Sequence, residues 1–178
     1  DGGLDGFVNA KEHADFPFLC SNYNFENTPI DGHTQRELII QKGKIKVGLF
    51  GVGVELDGLV PSNKYGETVY TDPIEHANEV AESLKKQGCD LIICLSHLGY
   101  EYDGDKVSDL KLAKETRNIH LIIGGHTHTF LDKPTKEKNL DDDVVLINQV
   151  GWAGINLGRL DFCFEKKMFS KKDSILIQ

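Results

Sequence analysis

Two kinds of hydrophobic pattern alternate along this chain. "DLIICLS" (Asp90–Ser96) and "IHLIIGG" (Ile119–Gly125) are continuous apolar runs, the pattern of strands buried on both faces. Between them, "KVSDLKLAKETRN" (Lys106–Asn118) carries apolar residues at helical spacing. Upstream, Thr71-Asp72-Pro73 supplies a cap and a first-turn proline for the amphipathic helix "IEHANEVAESLKKQG", which Gly88 closes. "RELIIQK" and "KIKVGLFGV" are β-rich and separated by Lys42-Gly43, which predicts a hairpin. The chain opens with a helical pattern around Gly6–His13 and a short strand at "FPFLCSN" (Phe16–Asn22). It closes with strands at "DVVLINQV", "LGRLDFCFE" and "SILIQ". "PTKEKNLDDD" (Pro134–Asp143) reads as one surface loop.

Strand–helix–strand–helix in the middle requires parallel pairing, because a right-handed crossover needs an intervening helix. The flanking hairpin patterns add a mixed or second sheet. The expectation is an α/β layered domain without a linker. In such sheets ligands collect beyond the carboxyl ends of the strands. The first buried run delivers His97 to that rim and the second delivers His126 and His128, in "IIGGHTHTF" (Ile122–Phe130). Gly124 and Gly125 allow a sharp exit from the strand. Three neutral imidazoles converging on one rim are good ligands for zinc, manganese or iron, with Ser96 and the loop threonines available to orient the rings. His13, His33, His76 and His120 read as structural or solvated residues.

Composition narrows the partners. The chain has 178 residues, 39% of them hydrophobic, enough for one domain with a core. A net charge of -8 disfavours a nucleic-acid polymer as partner. The four cysteines, Cys20, Cys89, Cys94 and Cys163, form no Cys-x-x-Cys pair and read as free thiols rather than a disulfide framework. There is no apolar run of transmembrane length and no signal-peptide pattern, and the first residue is Asp1, so the sequence is silent on any targeting segment upstream. "GLFGVGVELDG" fails as a dinucleotide fingerprint, since Leu56 occupies the third glycine position. "YDGDKVSD" lacks calcium-loop spacing and reads as the entry to a helix.

At "SHLG" followed by "IIGGHTHTF" the chain resembles the calcineurin-like metallophosphoesterases, and more closely the catalytic domain of the 5'-nucleotidase and 2',3'-cyclic-nucleotide phosphodiesterase branch. "DGGLDGF", "FPFLCSNYNF" and "INQVGWAGINLGRLDFCFE" extend the likeness over nearly the whole chain. The resemblance implies a layered α-β-β-α sandwich and hydrolysis of a small phosphate ester, a nucleotide by analogy, at two divalent ions (Zn, Mn, Fe or Mg). It implies that His97 and His126 bind one ion and His128 the other, that Asn22 lies beside the substrate, and that Asp1 orients the histidine of an Asn-His pair. It also implies a periplasmic or cell-surface location. Trp152 and Phe130 fall near the rim, where either a stacking role or core packing fits them.

The family's first metal-binding half supplies an ordered series: Asp-x-His, a bridging Gly-Asp aspartate, then Asn-His. That series is not found here. The expectation is therefore that residues 1–178 form the second half of a catalytic domain, lacking its N-terminal metal-binding half and inactive alone, because two dications held close together need anionic ligands between them. Such a half exposes apolar sheet surface that the missing segment or another copy would cover. Two other readings stay open: a mononuclear zinc hydrolase using three histidines and water, and a non-catalytic binding module whose metal site is vestigial.

Overall fold

The computed structural model describes residues 2–164 and 175–177. In chain order the elements are α1 (Gly3–Lys11), β1 (Tyr23–Asn24), β2 (Glu37–Lys42), β3 (Ile45–Gly53), α2 (Ser62–Tyr65), β4 (Val69–Tyr70), α3 (Pro73–Lys86), β5 (Leu91–His97), α4 (Asp109–Glu115), β6 (Leu121–Ile123), β7 (Thr135–Lys138), β8 (Val144–Asn148), β9 (Phe162–Phe164) and β10 (Ile175–Ile177). Six strands make one mixed sheet in the order β2-β3-β5-β6-β8-β7, with two-stranded sheets formed by β1 with β4 and by β9 with β10. The four inner strands β3, β5, β6 and β8 run parallel, and the edge strands β2 and β7 pair antiparallel.

The long helix forms for the local reasons its sequence carries. Asp72 caps it, its carboxylate accepting from the amides of Ile74 at 2.7 Å and Glu75 at 3.3 Å. Pro73 lies in the first turn, and Gly88, at φ +80, takes the left-handed conformation that ends the helix. Its buried residues Pro73, Ala77, Val80, Ala81 and Leu84 recur at helical spacing and form one face. That face packs on β3 and β5, where Gly48 leaves room for Leu84: a Cβ there would lie 2.9 Å from both Leu84 methyls. Phe50, Val52, Ile92, Cys94, Leu112, Ile122 and Ile147 complete the core on this helical side.

Alternation along the strands sends the other residues to the opposite face. That face is only partly covered near the carboxyl ends, where Leu95 is 39% exposed and Ile123 45% exposed.

The predicted hairpin, both central helices and the buried strands are present. Four expectations change, the first being the strand over "LGRLDFCFE", of which only Phe162–Phe164 is a strand while Leu157–Asp161 is not and Glu165 lies outside the described residues. "FPFLCSN" makes an isolated bridge between Leu19 and Gln35 rather than a strand, because Phe16 is exposed and the segment passes over Gly51 instead of joining the ladder. The surface loop at Pro134–Asp143 contains β7, whose alternate half-buried and exposed residues fit an edge strand of polar composition. The second helix occupies Asp109–Glu115 only, ending where Thr116 turns to an extended conformation. Of the closing segment "SILIQ", Ile175–Ile177 pair with β9, while Ser174 and Gln178 lie outside the described residues.

This packing makes two substitutions informative. Leu84→Ala is expected to lower unfolding free energy by about 2–5 kcal/mol, and Asp72→Ala by about 1 kcal/mol, as read from denaturant unfolding.

Candidate metal centre

β5 and β6 end side by side on the same rim. His97 is the last residue of β5, and two residues beyond the end of β6 the chain reaches Gly125 and then His126. The rings of His97 and His126 meet edge to face with centroids 5.2 Å apart. Gly125 lies against His97: a Cβ there would be 3.1 Å from Nδ1, so this edge of the ring faces backbone. His128 turns aside, stacking on the half-exposed Trp152 at 5.8 Å with planes 13° apart.

His126 and His128 both hold left-handed backbone, at φ +72 and +55, which a residue with a Cβ adopts only when its surroundings impose it. Gln149 does much of the imposing. It is buried at the end of β8, where its side-chain oxygen accepts from the Thr129 amide and, at 3.2 Å, from the Thr127 hydroxyl, while its side-chain nitrogen donates to the Gly125 carbonyl at 2.9 Å. Thr127 Oγ1 also accepts from the Tyr100 amide at 3.0 Å, tying the loop to the residues after β5.

Burial lowers the proton affinity of His97, and the neighbouring His128 lowers it further. Burial does the same for His126, followed by the charges of His97, Lys106 and His128. Both rings are therefore held neutral near neutral pH, the state in which imidazole offers a lone pair.

Beneath the rim on the helical side lies Asp109, the first residue of α4, with no exposed surface. The Ser96 hydroxyl donates to one carboxyl oxygen, and the other has no hydrogen-bond partner among the described residues. Burial pushes this carboxyl up to about 7 against the opposing effect of the Ser96 bond.

Two imidazoles sharing one tetrahedral ion, each with a metal–nitrogen bond of about 2.1 Å, have ring centroids roughly 5 Å apart. The pairing of His97 with His126 fits that spacing. Among the described residues no group of three His, Cys, Asp or Glu side chains is placed to hold an ion. Asp31-Gly32-His33 repeats the Asp-x-His pattern and Gly104-Asp105 the Gly-Asp pattern of the series sought upstream, yet neither joins the two rings as part of such a group. The residues present thus fit two imidazole ligands of a site, and a complete site needs further, anionic donors.

Other expected residues have architectural places. Asn22 is fully buried, its amide nitrogen donating to the carbonyls of Gly53 at 2.9 Å and Thr71 at 3.3 Å and its oxygen accepting from the Gly53 amide at 2.8 Å. It stitches the opening segment to the end of β3, where Gly53 pairs with His97, so it lies next to the candidate centre with its side-chain atoms engaged by backbone. His120 Nδ1 accepts from the Ile92 amide at 3.0 Å. Asp1 lies outside the described residues.

Sequence reading passed over Asp109 and Gln149. Asp109 follows a serine cap and looks like any acidic first-turn residue. The usable signal for Gln149 was an amide ending an otherwise apolar strand.

Gln149→Leu is expected to leave the sheet intact while accelerating amide hydrogen exchange through Gly124–Phe130, since three bonds to that loop are lost. Asp109→Asn tests the buried carboxyl. An acid whose folded pKa is raised favours folding in its protonated form, so its contribution is full below about pH 4 and declines as pH rises toward 7. The stability difference between the two proteins should therefore shift in favour of Asp109→Asn as pH rises from 4 to 7 and level off above, measured by urea unfolding.

No protein-family model matches the chain. It is 34% identical over 123 residues to the trifunctional nucleotide phosphoesterase protein YfkN of Bacillus subtilis, an alignment that takes in 68% of this chain and 8% of that protein. It is 28% identical over 184 residues to the snake venom 5'-nucleotidase of Gloydius brevicauda, across 94% of this chain and 30% of that one. An apyrase of Anopheles gambiae is similar at 29% identity, over 92% of this chain and 31% of the apyrase. Among solved structures, a 5'-nucleotidase precursor from Thermus thermophilus superposes with a TM-score of 0.72 at 27% identity, covering 83% of this chain and 30% of the other. The chain thus spans about a third or less of the length of these relatives.

Proposed function

Because the chain is a homologue of 5'-nucleotidases, apyrases and calcineurin-like phosphoesterases, we propose that it forms part of the catalytic domain of a metal-dependent phosphoester hydrolase acting on nucleotides. The single observation that carries this reading is the pair of neutral imidazoles, His97 and His126, meeting 5.2 Å apart at the carboxyl rim of a parallel sheet. In this reading His97 and His126 hold one divalent ion, and His128 belongs to a second.

When bound, a pair of divalent ions supplies an activated water as nucleophile and neutralises charge on the phosphoryl group. The chain's own contribution is to present lone pairs in fixed directions. Gly125 backs the Nδ1 edge of His97, so in this reading Nε2 is the ligating nitrogen. His126 and His128 hold left-handed backbone, and Gln149 bonds the loop on either side of them, at Gly125 and Thr129. Trp152, stacked on His128, limits the directions in which this ring can swing.

The anionic ligands that keep two dications together come, in this proposal, from polypeptide outside residues 1–178, which also covers the sheet face around Leu95 and Ile123. The similarity to a venom nucleotidase supports an extracellular location. No helix among the described residues is long and apolar enough to cross a membrane. A mononuclear zinc enzyme with three histidine ligands is less well supported, because His128 stacks on Trp152 instead of closing on the other two rings.

The test is hydrolysis of AMP and p-nitrophenyl phosphate with manganese or zinc. Residues 1–178 alone should turn over neither, whereas the same chain within its whole polypeptide should hydrolyse AMP. There, His126→Ala should reduce turnover on the order of 100-fold or more. Full activity of His126→Ala would favour a non-catalytic module with a vestigial site.

A further inference from the structure

Asp109 has a placement that neither packing nor helix capping explains. The cap of α4 is Ser108, whose hydroxyl accepts from the Lys111 amide at 3.2 Å, so the Asp109 carboxyl is free of that duty. Filling the space requires only an apolar side chain of similar size. A fully buried carboxyl with one unpartnered oxygen is costly in comparison.

What the carboxyl touches lies on both sides of the candidate metal centre. One oxygen accepts from Ser96, whose hydroxyl oxygen in turn accepts from the Leu98 amide at 3.2 Å. Ser96 and Leu98 are the two residues that flank His97. The Asp109 amide donates to the Gly99 carbonyl at 2.7 Å, which anchors the start of α4 to the same exit from β5. The second oxygen presses on the diglycine loop: a Cβ on Gly124 would sit 2.1 Å from it and 3.0 Å from the Gln149 side-chain nitrogen. Gly125, the next residue, is the one that backs the Nδ1 edge of His97.

We infer that Asp109 is a positioning residue, which from the helical side of the sheet is bonded to Ser96 near the end of β5, braces the diglycine loop by steric contact, and so sets the approach of His97 to His126. This rests on the hydrolase reading only for its purpose. The geometric claim stands on the bridge itself. Its mechanism is mechanical: the carboxyl fixes backbone on either side of one imidazole and limits how far the loop bearing the other can move. Gly124 is glycine because the carboxyl occupies the space of its side chain.

The test uses the whole polypeptide, metal-free, with histidine ring protons followed by NMR. Rings 5.2 Å apart between centroids give a His97–His126 cross-relaxation peak. That peak should persist in Asp109→Asn, whose amide has the same shape and still accepts from Ser96. It should be lost in Asp109→Ala, while far-ultraviolet circular dichroism shows the sheet and helices retained. Should Asp109→Ala fail to fold, Ser96→Ala removes the same bridge with one atom deleted and should weaken the peak. A second readout is zinc affinity by calorimetry, expected to fall about 10-fold or more in Asp109→Ala and to recover in Asp109→Asn. A peak of unchanged intensity in Asp109→Ala, or in Ser96→Ala where Asp109→Ala does not fold, would overturn the proposal, as would unchanged zinc affinity in the same variant. The ring contact is measured without substrate, so loss of the peak in a polypeptide that hydrolyses no phosphoester would support the positioning role while refuting the hydrolase reading.

Discussion

Parallel pairing of β5 with β6 is the constraint on which the rest depends. Its register sets Leu95 beside Ile123. Continued by two residues, it sets His97 beside Gly125, and one further step along the loop brings His126 to the neighbouring ring. The glycine at 125 eases this approach, since a Cβ there would lie in tight contact, 3.1 Å, with His97 Nδ1. The two glycines thus have separate causes: register sets Gly125 beside the His97 imidazole, while Gly124 faces the Asp109 carboxyl. A shift of one residue would also exchange the faces of β5, sending His97 toward the helices and Ser96 to the open side.

That alternation divides the centre into two halves with different physics. Ser96, Asp109 and Gln149 are buried behind the rim and form a polar frame among otherwise apolar neighbours. Hydrogen bonds in such surroundings are strong and directional, and a displaced partner is costly, so the frame resists distortion. His97 and His128 point to the accessible side. Rigidity comes from one face of the sheet and reactivity from the other. The strained backbone at His126 and His128 is stable because Gln149 satisfies the loop from below.

Much of this was legible along the chain, for reasons that can be named. Apolar runs with intervening helical spacing identify the parallel core, since each pattern buries its apolar residues in only one kind of element. The cap at Asp72 and the stop at Gly88 act within a few residues, so the long helix was readable almost to its ends. β7 was hidden because an edge strand of lysine and glutamate has no apolar face to declare it. "FPFLCSN" has strand composition, but its partner was decided by the route of the chain over Gly51. Asn22 has the look of a turn or site asparagine, and only the position of Gly53 and Thr71 around it makes it a strut.

The sequence by itself determined the alternation of buried strands and amphipathic helices, and therefore which histidines stand at the carboxyl ends of adjacent strands. Period and capping are local properties, settled by neighbours a few residues apart. Only the tertiary structure decided that His97 and His126 meet while His128 leans on Trp152, and that Asp109 lies buried beneath them. Those outcomes turn on distances between residues far apart in the chain, fixed when α4 packs against the sheet and β8 brings Gln149 under the loop. No local pattern encodes such distances, because they arise from the summed packing of every element between.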